Sequence, residues 1–276
     1  MRLVDAHCHL SDIRYEGRLV EVFARAAEVG VDAFILGGVE PAEWARQRAL
    51  IKATPAALFS CFGLHPWIVD AHFENGALLE EALRQLPTFL SDAQCVALGE
   101  LGLDHGPKRN ALSRSRQLEV FQRQLELSEA FKKPLVLHIV HAHDEALECL
   151  KRKKTSWGGL VHAFSGSFET ATRYLDLGFT ISVGGGITRP GYESLKRALK
   201  KLPLDRLVIE SDSPDFKPAD YLSVIPGLND PGSLPLIAAT LATLRTEPAK
   251  EILEMSRRNL IQLFQLNGLD TGAQVR

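Results

Sequence analysis

The 276-residue sequence has only four cysteines, Cys8, Cys61, Cys95 and Cys149, and they stand far apart with no Cys-x-x-Cys pair. A chain of this length buries enough core to need no disulfide framework, so the thiols read as reduced and the protein as cytoplasmic. No run of about 18 uncharged apolar residues occurs, and no basic stretch followed by an apolar one opens the chain, so neither a membrane span nor secretion is expected. Charge of neither sign dominates. Lys and Arg total 32 against 34 Asp and Glu, a net charge of -2, which excludes a global attraction for nucleic acid or anionic membrane. A polyanion would have to be held by local charge. Neither G-x-G-x-x-G nor G-x-x-x-x-G-K-[ST] is present, so no nucleotide cofactor is expected.

What the sequence has is a rhythm. Short apolar runs rich in β-branched residues alternate with longer amphipathic stretches, the signature of βα units around a parallel sheet. Eight such runs are read as strands: residues 2–6, 33–36, 57–62, 95–98, 135–138, 159–162, 179–183 and 207–210. Helical patterns lie between them at 19–29, 42–53, 112–131, 142–153, 168–177 and 192–201, and two more, 234–244 and 249–263, follow the last strand. Between residues 211 and 232, Pro214, Pro218, Pro226 and Pro231 predict a long ordered loop rather than a helix. An open doubly wound sheet would show the same alternation. The count of eight, and the polar residues gathered at strand ends, favour an α/β fold of the TIM (β/α)8 barrel type. It would be a single domain over residues 1–276, with a frayed tail from about residue 266.

In such a barrel the chemistry sits where strands end. His7 and His9 end the first strand, His65 follows the third, Glu100 the fourth, His138 ends the fifth, His162 the sixth, and Glu210 and Asp212 close the eighth. The i, i+2 spacing of His7 and His9 puts both imidazoles on one side of a strand, with Cys8 on the other. Side by side they can clamp a divalent ion. A carboxylate at Glu100 can offer one oxygen to each of two ions. His138 and His162 each interrupt an apolar strand, and either one alone could as well be a hydrogen-bonded core histidine. Asp212 could ligate an ion and also orient or deprotonate a water, and Glu210 could support a ligand histidine.

Six segments carry a resemblance: Asp5-Ala-His7-Cys-His9-Leu, Gly63-Leu-His65-Pro66, Ala97-Leu-Gly-Glu100-Leu-Gly-Leu-Asp104, Pro134-Leu-Val-Leu-His138, Val161-His162-Ala-Phe164-Ser165-Gly166, and Ile209-Glu210-Ser-Asp212-Ser-Pro214. In this order they resemble the motifs of TatD-family metal-dependent hydrolases, from residue 1 to about 265. The resemblance implies a barrel with two divalent metal ions. His7, His9, Glu100 and Asp212 would hold one, and Glu100, His138 and His162 the other, with His65 on the substrate phosphate. Characterised members of the family are mostly nucleases that remove nucleotides from DNA ends. A phosphate-containing substrate such as a single-stranded DNA end is therefore expected, with Asp212, Glu100 and His65 as catalytic residues and no membrane or obligate protein partner. The ions could be Zn, Mn or Mg.

One departure bears on substrate. The family commonly has Ser-Arg after the fifth-strand histidine, and here the chain reads His138-Ile-Val140-His141. Valine offers no planar fork to a phosphate, and His141 either compensates in part or simply opens the next helix. Ser165 and the Gly184-Gly185-Gly186 run are candidates for holding phosphate oxygens, the glycines serving equally well as a tight turn. Trp67 either stacks on a base or packs its loop. The basic run 151–154 reads as a solvated helix end rather than a nucleic-acid patch. Two other functions suit the same residues: hydrolysis of a small amide, lactone or ester, and a catalytically silent barrel that binds metal or a partner.

Overall fold

A computed structural model describes residues 1–266, 268 and 269, and in it eight parallel strands form one sheet in chain order. They are β1 (Leu3–Cys8), β2 (Val31–Leu36), β3 (Ala57–Phe62), β4 (Cys95–Asp104), β5 (Leu135–Val140), β6 (Gly159–Val161), β7 (Phe179–Val183) and β8 (Leu207–Ile209). Around them run α1 (Leu19–Glu28), α2 (Pro41–Ala53), α3 (Pro66–Ala71), α4 (Gly76–Leu90), α5 (Arg114–Phe131), α6 (His143–Lys153), α7 (Phe168–Asp176), α8 (Glu193–Leu199), α9 (Leu234–Leu244) and α10 (Ala249–Phe264). The expected TIM barrel is therefore the observed fold. Residues 211–230 form the expected irregular loop, pinned by the Asp230 carboxylate, which accepts from the Tyr221 and Ser223 hydroxyls and the Val224 and Gly232 N–H groups.

The edges β1 and β8 meet through a few bonds near their C-terminal ends. Asp212 N–H donates to the His7 carbonyl at 2.9 Å, and His9 N–H donates to the Ser213 carbonyl at 2.7 Å. The buried Asp5 carboxylate accepts from both the N–H and the hydroxyl of Ser211. Burial pushes Asp5 up to about 8 in spite of those bonds. The seam thus draws the first and last strand ends, with their His and Asp side chains, into one place.

Two apolar layers hold the sheet. Val4, Ile35, Cys61, Val136, Leu160 and Val208 cluster on the inner side, while Leu3, Phe34, Phe62 and Leu98 pack outward with helical residues such as Val22 and Trp44. Each large apolar side chain fully buried here contributes about 1.5–3 kcal/mol. The inner cluster also contains Leu260 and Phe264 of α10 together with Leu266 and Leu269, which are 1% and 4% exposed. The frayed tail expected from residue 266 is corrected to this extent: Leu266 and Leu269 are packed, because their side chains cover apolar surface at the N-terminal end of the barrel. Residue 267 and residues 270–276 lie outside the described residues.

No helix is expected from the sequence between the third and fourth strands, yet α3 and α4 stand there. In α4 the apolar set Leu79, Leu83, Leu86 and Leu90 follows helical spacing, and the Asn75 side chain caps it by accepting the Leu78 N–H. Pro87 inside the last turn obscured the pattern. Among the described residues no helix is long and apolar enough to cross a membrane.

Candidate metal centre

The eight strand-end groups converge on one cluster. His7 and His9 share a side of β1, and Cys8 turns to the outer core with its Sγ 3.6 Å from the Ile35 carbonyl. Room for both imidazoles comes from Gly37 after β2. A Cβ there would stand 2.4 Å from His7 Cε1 and 2.8 Å from His9 Cε1. Glu100 sits mid-strand in β4, which runs six residues beyond the expected end. Gly102 has a φ of +151°, and a Cβ on it would lie 2.0 Å from the His138 carbonyl, so glycine alone lets β4 pass this close to β5. Asp212 itself adopts a left-handed φ of +52°, a conformation that costs a non-glycine residue about 1 kcal/mol or more.

Glu100 divides the cluster. Its Oε2 is 3.1 Å from His7 Nε2 and 3.4 Å from His9 Nε2, and those two nitrogens are 3.2 Å apart. Its Oε1 is 2.8 Å from His138 Nδ1 and 3.1 Å from both His65 Nε2 and His162 Nε2. Asp212 Oδ1 lies 3.7 Å from His9 Nε2, 3.9 Å from His7 Nε2 and 4.0 Å from His162 Nδ1. Three groupings could each hold an ion: His7, His9 and Glu100; His7, His162 and Asp212; and His65, Glu100 and His138. The donors fit a divalent cation. Once both rings are neutral, as ligation requires, His7 Nε2 and His9 Nε2, 3.2 Å apart, can turn their lone pairs to one cation between them.

Three carboxylates stand behind the histidines. Glu43 Oε1 is 3.6 Å from His9 Nδ1, Asp104 Oδ2 is 3.6 Å from His138 Nε2, and Glu210 Oε1 is 3.2 Å from His162 Nδ1, off the line of a hydrogen bond. In each case the carboxylate faces the ring nitrogen turned away from Glu100, the arrangement that orients ligand imidazoles in metal sites. Glu210 was anticipated. Glu43 and Asp104 were not, since an acid within a helix or a strand has no sequence mark of its partner on the neighbouring strand.

The electrostatics follow from burial and crowding. Burial alone would raise Glu100, but the His162, His65 and His7 rings hold it well below the usual carboxylate range. Burial pulls His7 to about 4. It also opposes charge on His9 and His162, yet Glu100 with Glu43 raises His9 far above the ordinary imidazole value, and Glu100 with Asp212 and Glu210 raises His162 likewise. Asp212 is pushed up to about 7 by burial, against the pull of His162. Without a cation, protons on His9 and His162 balance the buried carboxylates.

His65 stands apart chemically. Its Nδ1 accepts the Trp67 N–H at 3.0 Å, so in the neutral ring the proton sits on Nε2, which then donates toward Glu100. Burial pulls His65 to about 4, so the ring is neutral near pH 7. A protonated Nε2 makes a hydrogen-bond donor and a poor ligand. Trp67 is 42% exposed, and its indole N–H donates to Asp104 at 2.5 Å. Ser165 is exposed on the loop after β6 and hydrogen-bonds to none of the cluster. Gly185 is buried, with Phe216 O filling the place of a Cβ at 2.1 Å. His141 is exposed before α6, and the 151–154 run ends that helix, Lys153 pairing with Glu126.

Fold and site together define a (β/α)8 barrel whose C-terminal face carries a buried histidine and carboxylate centre suited to divalent cations. The chain belongs to the TatD family of metal-dependent hydrolases: the family described as TatD related DNase matches residues 4–265. Over 266 residues it is 34% identical to the uncharacterized metal-dependent hydrolase YjjV of Escherichia coli, covering 96% of this chain and 98% of that one. The crystal structure of YjjV matches with a TM-score of 0.82 over 96% of this chain and 98% of YjjV. A protein of Edwardsiella piscicida named 3'-5' ssDNA/RNA exonuclease TatD is 31% identical over 268 residues, 96% of this chain and 100% of the relative.

Proposed function

We propose that this hydrolase is a phosphodiesterase that removes nucleotides from the 3' ends of single-stranded DNA, with two divalent ions held by His7, His9, Glu100, His138, His162 and Asp212. The observation that carries the reading is the division of Glu100, one oxygen toward His7 and His9 and the other toward His138 and His162. The name of the Edwardsiella relative supports the substrate class. Bound there, two divalent ions would supply Lewis acidity at a phosphoryl oxygen and bring the pKa of water toward neutrality. The chain's own residues do the rest. Asp212, with Oδ1 within 4.0 Å of His7, His9 and His162, is placed to orient an attacking water and take its proton. His65 holds an N–H that can pass from Glu100 to a phosphate oxygen. Glu43, Asp104 and Glu210 keep three imidazoles in place, and exposed Trp67 offers a face for a terminal base.

The test is release of mononucleotides from an end-labelled single strand, alongside a small phosphodiester, a lactone and an amide, with Zn, Mn or Mg added after chelation. Turnover of the strand, abolished by chelator and by Asp212→Asn, is the expected result. Hydrolysis of lactone or amide with no attack on either phosphodiester in any metal would overturn the proposal.

A further inference from the structure

We infer that Arg109, on the loop after β4, is a substrate-binding residue that takes the phosphate one unit along the chain from the scissile phosphodiester. The inference rests on the phosphodiesterase reading for its substrate and on the geometry of one loop for its residue. That loop is tied down by its backbone. Gly106 N–H donates to Asp104 Oδ1 at 2.8 Å, Arg109 N–H to the Gly106 carbonyl at 2.9 Å, and Asn110 N–H to Asp70 Oδ1 at 2.9 Å. The side chain at position 109 is thereby aimed across Trp67, with its guanidinium carbon 4.9 Å from the ring centre.

The guanidinium is held in place without being used up. Arg109 Nε is 3.6 Å from Asp104 Oδ2 and one terminal nitrogen is 3.7 Å from Asp70 Oδ2, both beyond hydrogen-bond distance. Other donors already bond to those acids, although among the described residues Asp70 Oδ2 faces only Arg109. Asp104 takes the Gly106 N–H and the Trp67 indole, and Asp70 takes the Asn110 N–H and the Ser113 hydroxyl. Among the described residues the Arg109 guanidinium, 24% exposed, has two carboxylates at ion-pair distance and no acceptor at hydrogen-bond distance. Five N–H donors in a planar fork are therefore available to an oxyanion.

Its position gives the ligand. Asp104 Oδ2, which Arg109 flanks, also lies 3.6 Å from His138 Nε2, and the Trp67 ring is 5.7 Å from the His138 ring. The cation stands at the rim of the centre, two contacts from a candidate ligand. The same loop runs beside β5, where His105 N–H donates to the carbonyl of Val140, a residue that brings no charge of its own. A substrate with one phosphate at the centre and a second further along, as in a single strand, meets both. A single-phosphate ester reaches only the first.

The experiment compares Arg109→Ala and Arg109→Lys with the parent, all metal-loaded, in binding of a short phosphorothioate oligothymidylate followed by fluorescence anisotropy across salt concentrations. Hydrolysis of the unmodified oligomer and of bis(4-nitrophenyl) phosphate is measured beside it. Arg109→Ala should weaken oligomer binding about tenfold and reduce the salt slope by nearly one ion. The oligomer KM should rise far more than that of the nitrophenyl ester, and Arg109→Lys should recover part of the loss. Parent-like affinity and salt slope in the alanine variant, with an unchanged melting temperature, would overturn the inference. So would failure of the parent to bind the oligomer in any metal. If the parent binds in an Arg109-dependent way yet hydrolyses neither phosphodiester, the catalytic proposal falls and the binding role stands.

Discussion

Glu210→Gln isolates how much the layer behind the histidines matters. Glu210 is fully buried and kept ionised, against its burial, chiefly by His162. Its Oε1 accepts the Ala163 N–H at 2.6 Å and lies 3.2 Å from His162 Nδ1, while Oε2 accepts the Ser182 hydroxyl. Glutamine keeps the shape. Its amide oxygen can stay toward Ala163 and His162, with the amide N–H donating to a reoriented Ser182 hydroxyl, so each of these contacts keeps a partner and the main loss is charge. A charge-assisted bond exceeds a neutral one by about 1 kcal/mol. The Ala163 and Ser182 bonds are made with and without the ion and cancel, so the loss in metal affinity is that of the His162 contact, about 1–2 kcal/mol or roughly five- to thirtyfold. That overlaps the roughly 10–100-fold penalty common for groups that orient metal-bound histidines. Titration of the stripped protein with Zn against a competing chromophoric chelator measures it directly. If Glu210→Gln retains affinity within about twofold while its melting temperature holds, the supporting role assigned to this carboxylate is wrong.

Metal uptake should release at least two protons at neutral pH, because His9 and His162 are raised well above 6.5 without an ion and must be neutral to ligate, and Asp212, at about 7, and His138, also raised, add to the count. Affinity should accordingly fall as pH drops, and calorimetry in buffers of different ionisation enthalpy reads the proton count. Gly102→Ala forces a Cβ onto the His138 carbonyl at a φ alanine disfavours. A loss of about 2 kcal/mol or more in urea melts, with weaker metal binding, is expected. Leu266→Ala should cost about 2–5 kcal/mol, since that side chain is 1% exposed in the inner cluster. An unchanged melting temperature would return the residue to a loose tail. Asp5→Ala removes acceptors from the Ser211 N–H and hydroxyl at the seam, and should destabilise the chain by about 1–3 kcal/mol in the same melts.

Much of this protein was legible in residue order. The alternation of β-branched runs with amphipathic stretches determines a parallel sheet covered by helices, and the count of eight with polar residues at the strand ends favours its closure into a barrel. His7, His9, His138, His162, Glu100 and Asp212 announced themselves as polar residues breaking apolar strands at the end where loops meet. The i, i+2 rule oriented Cys8 correctly as well. Tertiary structure decided what lies across the barrel. Glu43 reaches His9 from α2, Asp104 reaches His138 from β4, and Gly37 clears space for two rings from β2. None of these pairings has a sequence period, because residues distant along the chain become neighbours only when neighbouring strands pair and the helices dock on them. Arg109 was silent for the same reason. Whether an arginine in a loop is a solvated charge or an open fork depends on which acceptors surround it, and the folded chain alone supplies them.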